Sequence, residues 1–397
     1  MKWSSINSEV SCRINALRFP LIVLVVLIHA NDTQLHVAGS STNLVLPLPL
    51  RWVIDVATNQ VARIAVPFFF IVSSYLLGIR LRSLPANWSG EVGKRLWRLI
   101  PPYLGWNVFY TFFYWFGWFL PISHAYFSGG TLKFDSTGIF FILDECFGIT
   151  LSPADVPLWY VRNLVLFLSL SYPLPALLRR TSKPMMFVVI VFLTLLEQSI
   201  PNRYRGVFGG YQWFLLGFWF GLHGPPIDLK GTSRRVATAL WASFCALGAF
   251  LSAIRPEEWQ GPPFTILFEL VSIPSGMWVV WSWCGELNRI PTVLEQLKRL
   301  APATFVIFAA HGIILVSIRK LVWKALEAHE WPLLMVALYL FCPIFTLAVS
   351  LLVYALIRRL PNGLQRWFDN PSTKAMGSVQ DGRSPVQSTL KTDTSAS

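Results

Sequence analysis

Arg18 and His29 are the residues of this sequence whose types and spacing best suit catalysis and ligand binding. They lie eleven residues apart in the first apolar segment. Eleven helical residues turn through roughly 1,100° and rise about 16 Å, so both side chains leave the same helix face. A guanidinium binds phosphate, and an imidazole exchanges a proton near neutral pH. Ionisable groups are costly inside a membrane segment, so the pair predicts a functional site, against the alternatives of an interface anchor and a structural histidine.

Three more polar residues are candidates to act with this pair. Asp32 lies one turn beyond His29, where it would orient the imidazole or simply meet water at the helix end. Arg63 precedes a second apolar run, and Arg98 lies in a basic segment before a third. Both arginines suit phosphate binding, and both also suit anchoring at a membrane interface.

The composition indicates which elements position these residues. With 54% hydrophobic and only 13% charged residues, the chain is predicted to be an integral membrane protein. Apolar segments predict an all-α, polytopic fold of about ten transmembrane helices, near residues 17–35, 61–80, 99–120, 157–178, 184–200, 211–222, 235–254, 264–283, 302–322 and 333–357.

Basic residues gather in alternate connections, which predicts the topology. The pattern favours a multi-pass protein of the cell (inner) membrane with both termini in the cytoplasm. It also accounts for the formal net charge of +13 without a nucleic-acid partner. The predicted organisation is a cytoplasmic N-terminus (1–16), a membrane domain (17–358) and a cytoplasmic, largely disordered tail (359–397). The first segment lacks a clear cleavage site, so a retained helix is preferred to a signal peptide.

Motifs of several other function classes are absent from the sequence. The five cysteines show no CxxC or ligand spacing, so neither a disulfide framework nor a metal site is predicted. The sequence also lacks GxxxxGK[ST], GxGxxG and HExxH. An ATP-driven pump, a dinucleotide enzyme and a zinc protease are therefore unsupported.

Five blocks, in order, resemble the acyltransferase-3 family of membrane O-acyltransferases. The resemblance covers roughly residues 10–358. One departure is Ser74, where the family typically has glycine and where helices would pack closely. The blocks are Arg18-x10-His29, the VARIAVPFFFIVSSYLL run (61–77), the basic segment from Lys94 to Arg98 with Pro101-Pro102-Tyr103, Pro157-Leu158-Trp159-Tyr160, and Thr304-Phe305 to His311.

The resemblance implies an enzyme that moves an acyl group, expected to be acetyl, from cytoplasmic acyl-CoA. The acceptor would be a hydroxyl of an envelope or exported glycan, or of a lipid-linked saccharide. Acetyl-CoA is then a co-substrate, membrane lipid surrounds the protein, and no cofactor is bound permanently. His29 would act as general base or acyl carrier with Asp32 beside it, and the residues fit direct attack and a covalent acyl-His29 intermediate equally.

The remaining site predictions divide between the two substrates. Arg18, Arg63 and Arg98 are predicted to bind acyl-CoA. Trp159 and Asn163, one turn apart, are predicted to stack on an acceptor sugar and bond its hydroxyls, although an interfacial tryptophan has the same appearance.

His311 is also placed with the acceptor, as a second proton carrier or as a structural hydrogen-bonding group. The long connection near 121–156 is predicted to cover this region, since long loops in compact domains are often functional.

Two alternatives come from other function classes. A proton-coupled transporter or exporter would use His29, Asp32 and Arg63 as a proton relay. A sensor or scaffold would retain only the fold, and replacement of His29 would then have no effect. The transporter requires a gradient and no acyl-CoA, so labelled acyl transfer separates these classes.

Overall fold

The fold is known from a computed structural model. It describes residues 8–30, 34–37, 40–43, 47–83, 87–127, 138–148, 152–200, 206–224, 228–254, 262–326 and 331–369. The first half contains α1 (Ser8–Ala30), α2 (Leu48–Asp55), α3 (Ala65–Ser83), α4 (Trp88–Phe119), α5 (His124–Phe127), α6 (Ile139–Phe147), α7 (Trp159–Ser169), α8 (Leu174–Arg179) and α9 (Lys183–Ser199).

The second half of the described chain is also helical. Its helices are α10 (Tyr211–His223), α11 (Gly231–Ile254), α12 (Pro262–Leu267), α13 (Ile273–Cys284), α14 (Pro291–Leu300), α15 (Thr304–Leu326), α16 (Pro332–Ile357) and α17 (Asn362–Gln365). In the described part of the chain, the departure from the all-α prediction is a hairpin of two short antiparallel strands, β1 (Gln34–Val37) and β2 (Ser40–Asn43).

Among the described residues, six helical stretches are long and apolar enough to cross a membrane. They are Glu9–Ala30, Leu48–Arg82, Gly231–Ile254, Pro263–Arg289, Pro291–Val322 and Leu333–Ile357. The other four predicted segments also contain helices, but these are shorter or carry more polar and aromatic residues. The structure confirms the all-helical membrane class apart from the hairpin, and it does not confirm the count of ten.

The second predicted segment starts earlier than expected. Helical turns of other types join α2 to α3: a π-helical turn over Val56–Val61 and a 3₁₀ turn over Ala62–Ile64. Turns of these kinds inside a long helix often mark functional positions. They make Leu48–Arg82 one helical stretch of 35 residues instead of the predicted 61–80.

Small residues bring α3 and α10 into close contact. Gly217 and Gly221, one turn apart on α10, face Ser74 and Gly78 on α3. A Cβ atom at Gly221 would lie 2.6 Å from the carbonyl oxygen of Tyr75, a distance that no side chain can occupy. This is the small-residue packing common between membrane helices. Close packing survives the change to Ser74 because a glycine lies opposite it.

The packing of α1 defines two ends of the bundle. Val10 and Ile14, early in α1, pack with Tyr75 in the second half of α3, so these helices run in opposite directions. Ala30, the last residue of α1, packs with Leu315 of α15. The end of the bundle that contains the last residue of α1 is named the His29 end. The opposite end is named the Arg13 end.

The Arg13 end is held together by paired charges. Arg13, only 7% exposed, donates to both carboxylate oxygens of Asp228 at 2.8 and 2.7 Å. Its guanidinium also lies 5.2 Å from the ring centre of Trp281. Arg234 pairs with Glu286 at 2.5 Å. Both arginines are committed to structure, so neither is a candidate to bind a substrate phosphate.

The predicted domain boundaries stay predictions, and the structure shows how the two ends of the membrane domain are built. The first helix begins at Ser8, and Glu9 and Arg13 pair within its first turns. At the other boundary, α17 returns to the bundle, where Trp106 of α4 donates from Nε1 to the carbonyl oxygen of Phe368 at 2.9 Å. The predicted tail from residue 370 onward lies outside the described residues.

Candidate active site

The first helix presents Arg18 near its middle and His29 one residue before its end. Ten residues of α1 precede Arg18, so its side chain leaves the middle of the helix. Both side chains are partly exposed, and helix geometry keeps them about 16 Å apart on one face. The site therefore extends from the middle of the bundle to its His29 end.

A second imidazole meets His29 at that end. The ring centroids of His29 and His311 are 5.2 Å apart, with the rings tilted by 44°. His311 is fully buried, and its Nδ1 lies 2.6 Å from the carbonyl oxygen of Phe308 and 3.2 Å from that of Ile307. A carbonyl only accepts hydrogen bonds, so Nδ1 carries the proton.

This tautomer leaves a lone pair on Nε2 of neutral His311. Within the described part of the chain, that atom has no hydrogen-bond partner although it is buried. An unsatisfied buried acceptor in a native structure calls for a functional explanation. The structure makes His311 the neighbour of His29, and its contact with the acceptor stays a prediction.

Aromatic rings connect the histidine pair to the middle of the bundle. Phe308 lies one turn before His311, and its ring centroid is 5.7 Å from that of Tyr160. Tyr160 also meets Phe70 edge-on at 4.6 Å, and its hydroxyl is 3.1 Å from that of Ser73. These rings give the inner wall an apolar surface that ends in hydroxyl groups.

Two arginines approach the Tyr160–Ser73 end of this wall. Arg18 lies close enough to the Tyr160 hydroxyl for a direct electrostatic interaction. Arg95 of α4 donates from its guanidinium to the carbonyl oxygen of Ser73 at 3.0 Å. Arg98, the residue of this segment that was predicted to bind acyl-CoA, is exposed on α4, and its role stays a prediction. The sequence signal was present in the basic segment but did not distinguish these two arginines.

Comparison with known proteins identifies the kind of enzyme. The acyltransferase domain of the acyltransferase-3 family matches residues 13–355, which contain both histidines and both arginines of this site. The chain belongs to the acyltransferase-3 family. It is also 24% identical over 404 residues to the succinoglycan biosynthesis protein ExoH of Rhizobium meliloti, an alignment that covers 96% of this chain and 100% of ExoH. No solved structure matches the chain.

Arg63 of this acyltransferase does not join the other arginines. It is exposed on the 3₁₀ turn before α3, near enough to Glu269 to interact with that carboxylate. Because α3 runs opposite to α1, this turn lies toward the His29 end. Arg63 thus lies apart from the arginines near Tyr160, and its binding of acyl-CoA stays a prediction.

The two residues predicted to contact the acceptor have different positions in the acyltransferase. Trp159 is half-buried, with its ring 6.1 Å from that of Phe70. Asn163 is fully buried, and its amide donates to the carbonyl oxygens of Gly206 and Gly209 at 2.8 and 3.0 Å. Both amide hydrogens are used, so Asn163 anchors the segment before α10, and its bond to an acceptor sugar stays a prediction.

The sequence did not predict a buried carboxylate beside α15. Asp155 is fully buried, and neither of its carboxylate oxygens has a hydrogen-bond partner in the described residues. A Cβ atom added to Gly312, next to His311, would lie 3.3 Å from Asp155 Oδ1. Asp155 belongs to the connection near 121–156, which the sequence predicts to cover the acceptor region.

Two predictions complete the comparison with the sequence. Asp32 lies outside the described residues, so its place beside His29 stays a prediction. In the part of the chain that is described, no group of three or more histidine, cysteine, aspartate or glutamate side chains is arranged to hold a metal ion.

Proposed function

We propose that this acyltransferase moves an acetyl group from cytoplasmic acetyl-CoA to a hydroxyl of an exported or envelope polysaccharide. The contact between His29 and His311 carries the proposal, because a second imidazole beside His29 can orient it and stabilise its protonated form. The relative ExoH, named for succinoglycan biosynthesis, supports a polysaccharide acceptor. Acetyl-CoA is a co-substrate in this scheme.

The dimensions of acyl-CoA support this arrangement. About thirteen bonds separate the nearer phosphorus of CoA from its sulfur, and an extended chain advances about 1.2 Å per bond, or about 16 Å in all. The rise of α1 from Arg18 to His29 is also about 16 Å. A CoA diphosphate held by Arg18 and Arg95 would therefore reach His29 with its thioester.

His29 supplies the proton transfer that this reaction needs. It takes the proton of the acceptor hydroxyl as the oxygen bonds to the acyl carbon, and the carbon–sulfur bond then breaks. The proton leaves with the CoA thiol, so charge and atoms balance. The His29 imidazole would also serve in a two-step reaction in which it first carries the acyl group. The lone pair of His311 stabilises the protonated partner by accepting a hydrogen bond at Nε2.

In the proposed orientation the protein spans a bacterial inner membrane, and both termini lie on its cytoplasmic side. Basic residues at the Arg13 end, including Arg80, Arg82 and Arg179, fit the positive-inside rule. Arg18 and Arg95 then face the compartment that holds acyl-CoA. The histidine pair lies toward the opposite side, where an exported polysaccharide is available.

The proposed function is tested by acetyl transfer in proteoliposomes that contain only the purified protein. Acetyl-CoA with a labelled acetyl group is supplied at one face, and de-acylated succinoglycan oligosaccharide at the other. We expect alkali-labile label on the oligosaccharide. Movement of oligosaccharide without acetyl-CoA would instead support the transporter, and the absence of ester on any saccharide would overturn the proposal.

Replacement of Arg18 tests the acyl-CoA site. We expect Arg18→Lys to raise the KM for acetyl-CoA about tenfold, because lysine keeps the charge but lacks the planar fork that binds phosphate through two hydrogen bonds. Steady-state kinetics at saturating acceptor measure this change. Arg289→Lys, an exposed conservative change at the Arg13 end, is the matched control and should leave KM unaltered. An unaltered KM in Arg18→Ala would show that Arg18 does not bind acyl-CoA.

A further inference from the structure

The carboxyl group of Asp155 has no role in the scheme above. The residue is fully buried, and neither side-chain oxygen forms a hydrogen bond within the part of the chain that the structure describes. A buried carboxyl group without partners destabilises a fold, because it loses its hydrogen bonds to water and receives none in return. Such a group in a native structure therefore requires an explanation.

The surrounding fold fixes the backbone of Asp155 and leaves its side chain unused. Asn107 of α4 accepts a hydrogen bond from the amide nitrogen of Asp155 at 3.0 Å, and Leu158 donates to its carbonyl oxygen at 2.8 Å. Asp155 directly precedes the 3₁₀ turn Val156–Leu158, a position from which an aspartate side chain commonly caps a helix. Here the side chain makes no capping hydrogen bond. Capping is thus not the role of this carboxyl group.

Ion pairing does not explain Asp155 either. The nearest arginine along the chain, Arg162, donates to two backbone carbonyl oxygens at 3.1 and 2.9 Å, so its guanidinium is committed elsewhere. The buried aspartate of α2 shows the usual arrangement, because Asp55 accepts a hydrogen bond from Asn59 at 2.8 Å. Asp155 differs from Asp55 in having no such compensation, and a bound ligand would supply it.

Asp155 lies beside the histidine pair, next to two stacked aromatic rings. Its Oδ1 would be 3.3 Å from a Cβ atom added to Gly312, the residue after His311. Tyr110 and Tyr114, one turn apart on α4, are close enough to Asp155 for a direct electrostatic interaction. Their ring centroids are 4.7 Å apart and their planes differ by only 14°. Tyr110 is buried and Tyr114 is partly exposed, so the two rings lead from the surface toward Asp155.

We propose that Asp155 binds a hydroxyl group of the acceptor sugar, next to the hydroxyl group that is acylated. This inference rests on the proposed acyl transfer, and it assigns a binding residue to the acceptor. A carboxylate accepts short hydrogen bonds from hydroxyl groups, which a sugar carries on adjacent carbon atoms. The tyrosine rings offer a flat surface against which the sugar packs. The bound sugar satisfies Asp155, and Asp155 in turn directs the neighbouring hydroxyl group toward His29.

The position and charge of Asp155 favour the acceptor over acyl-CoA as its ligand. Arg18 and Arg95, which suit the CoA phosphates, lie near Tyr160, and a carboxylate repels phosphate groups. The part of acetyl-CoA that would reach the histidine pair is the thioester, which has no hydrogen-bond donor. A sugar brings several donors to the same place, and donors are what the oxygens of Asp155 need.

The first test measures acceptor binding without acetyl-CoA. Binding of de-acylated succinoglycan oligosaccharide to the purified full-length protein is followed by tryptophan fluorescence. Asp155→Asn keeps the shape of the side chain but loses a charge-assisted hydrogen bond, so we expect about tenfold weaker binding. Glu295→Gln, the same chemical change on the surface of α14, is the matched control and should bind as the wild type does. Unchanged binding in Asp155→Asn, or no binding by the wild-type protein, would overturn the inference.

The second test separates binding from a structural role. Asp155→Leu should unfold in detergent at a temperature at least as high as that of the wild type, because it removes a buried carboxyl group that has no partner. Asp55→Leu is the comparison and should unfold at a lower temperature, because it breaks the hydrogen bond from Asn59. A lower unfolding temperature for Asp155→Leu would show that the fold needs this carboxyl group and would overturn the inference.

Steady-state kinetics distinguish failure of this inference from failure of the proposed function. In Asp155→Asn the KM for the oligosaccharide should rise about tenfold, while the KM for acetyl-CoA stays constant. An equal rise in both KM values, or an unchanged oligosaccharide KM, would overturn the inference and leave the proposed acetyl transfer standing. Oligosaccharide binding that depends on Asp155 without any acetyl transfer would overturn the proposed function and leave the binding residue standing.

Discussion

His29→Ala is expected to abolish acyl transfer, with a loss of about 10²–10⁴-fold in turnover. Positioned acid–base catalysis by a histidine typically contributes a rate factor of this size. His29 is partly exposed at the end of α1, so truncation leaves the packing of the bundle largely intact. The turnover of purified protein with labelled acetyl-CoA and a saccharide acceptor measures the loss.

The control for His29 is another histidine. His223 is exposed at the last residue of α10, where its ring stacks on Trp219, and His223→Ala should retain wild-type turnover. Equal amounts of membrane-inserted protein must be compared. If His29→Ala keeps more than about a tenth of wild-type turnover, His29 is neither the base nor an acyl carrier.

Replacement of His311 is expected to lower kcat about 10²-fold, which is the second largest effect. In the proposed mechanism His311 positions and stabilises protonated His29, so it acts through that residue. His311→Asn retains a donor for the backbone carbonyl groups but has no group at the position of Nε2. The acetyl-CoA KM should stay near wild type, because Arg18 and Arg95 are unchanged.

A second substitution distinguishes this role from a structural one. His311→Gln places an amide near the position of Nε2, but that amide does not take up a proton near neutral pH. Both variants should therefore lose kcat while unfolding at temperatures close to that of the wild type. A wild-type kcat in His311→Gln, or a loss of kcat that simply follows a lower unfolding temperature, would contradict the catalytic contribution of His311.

Much of the site on α1 could be predicted from sequence because it depends on local geometry. The spacing of Arg18 and His29 places them on one helix face whatever the surrounding fold. Apolar segment lengths likewise indicated a helical membrane protein, and ordered sequence blocks indicated the family, which the match over residues 13–355 confirmed. These properties follow from the covalent order of residues and from the repeat of the helix.

Tertiary structure decided which distant groups meet. His29 and His311 belong to helices far apart in the chain, and their contact follows from the parallel packing of α1 and α15. Arg95 and Arg98 differ by about 60° in direction on α4, so the neighbouring helix α3 determines which one turns inward.

The same reason explains the positions of Asn163 and Glu269. Asn163 has the chemistry of a sugar ligand, yet two backbone carbonyl groups more than forty residues later along the chain use both of its amide hydrogens. Glu269 meets Gln198 and Arg63 only because three separate helical stretches converge. The sequence by itself determined the chemical groups and their local direction. The packing of helices, which depends on contacts remote in sequence, determined their partners and thereby which of them form a site.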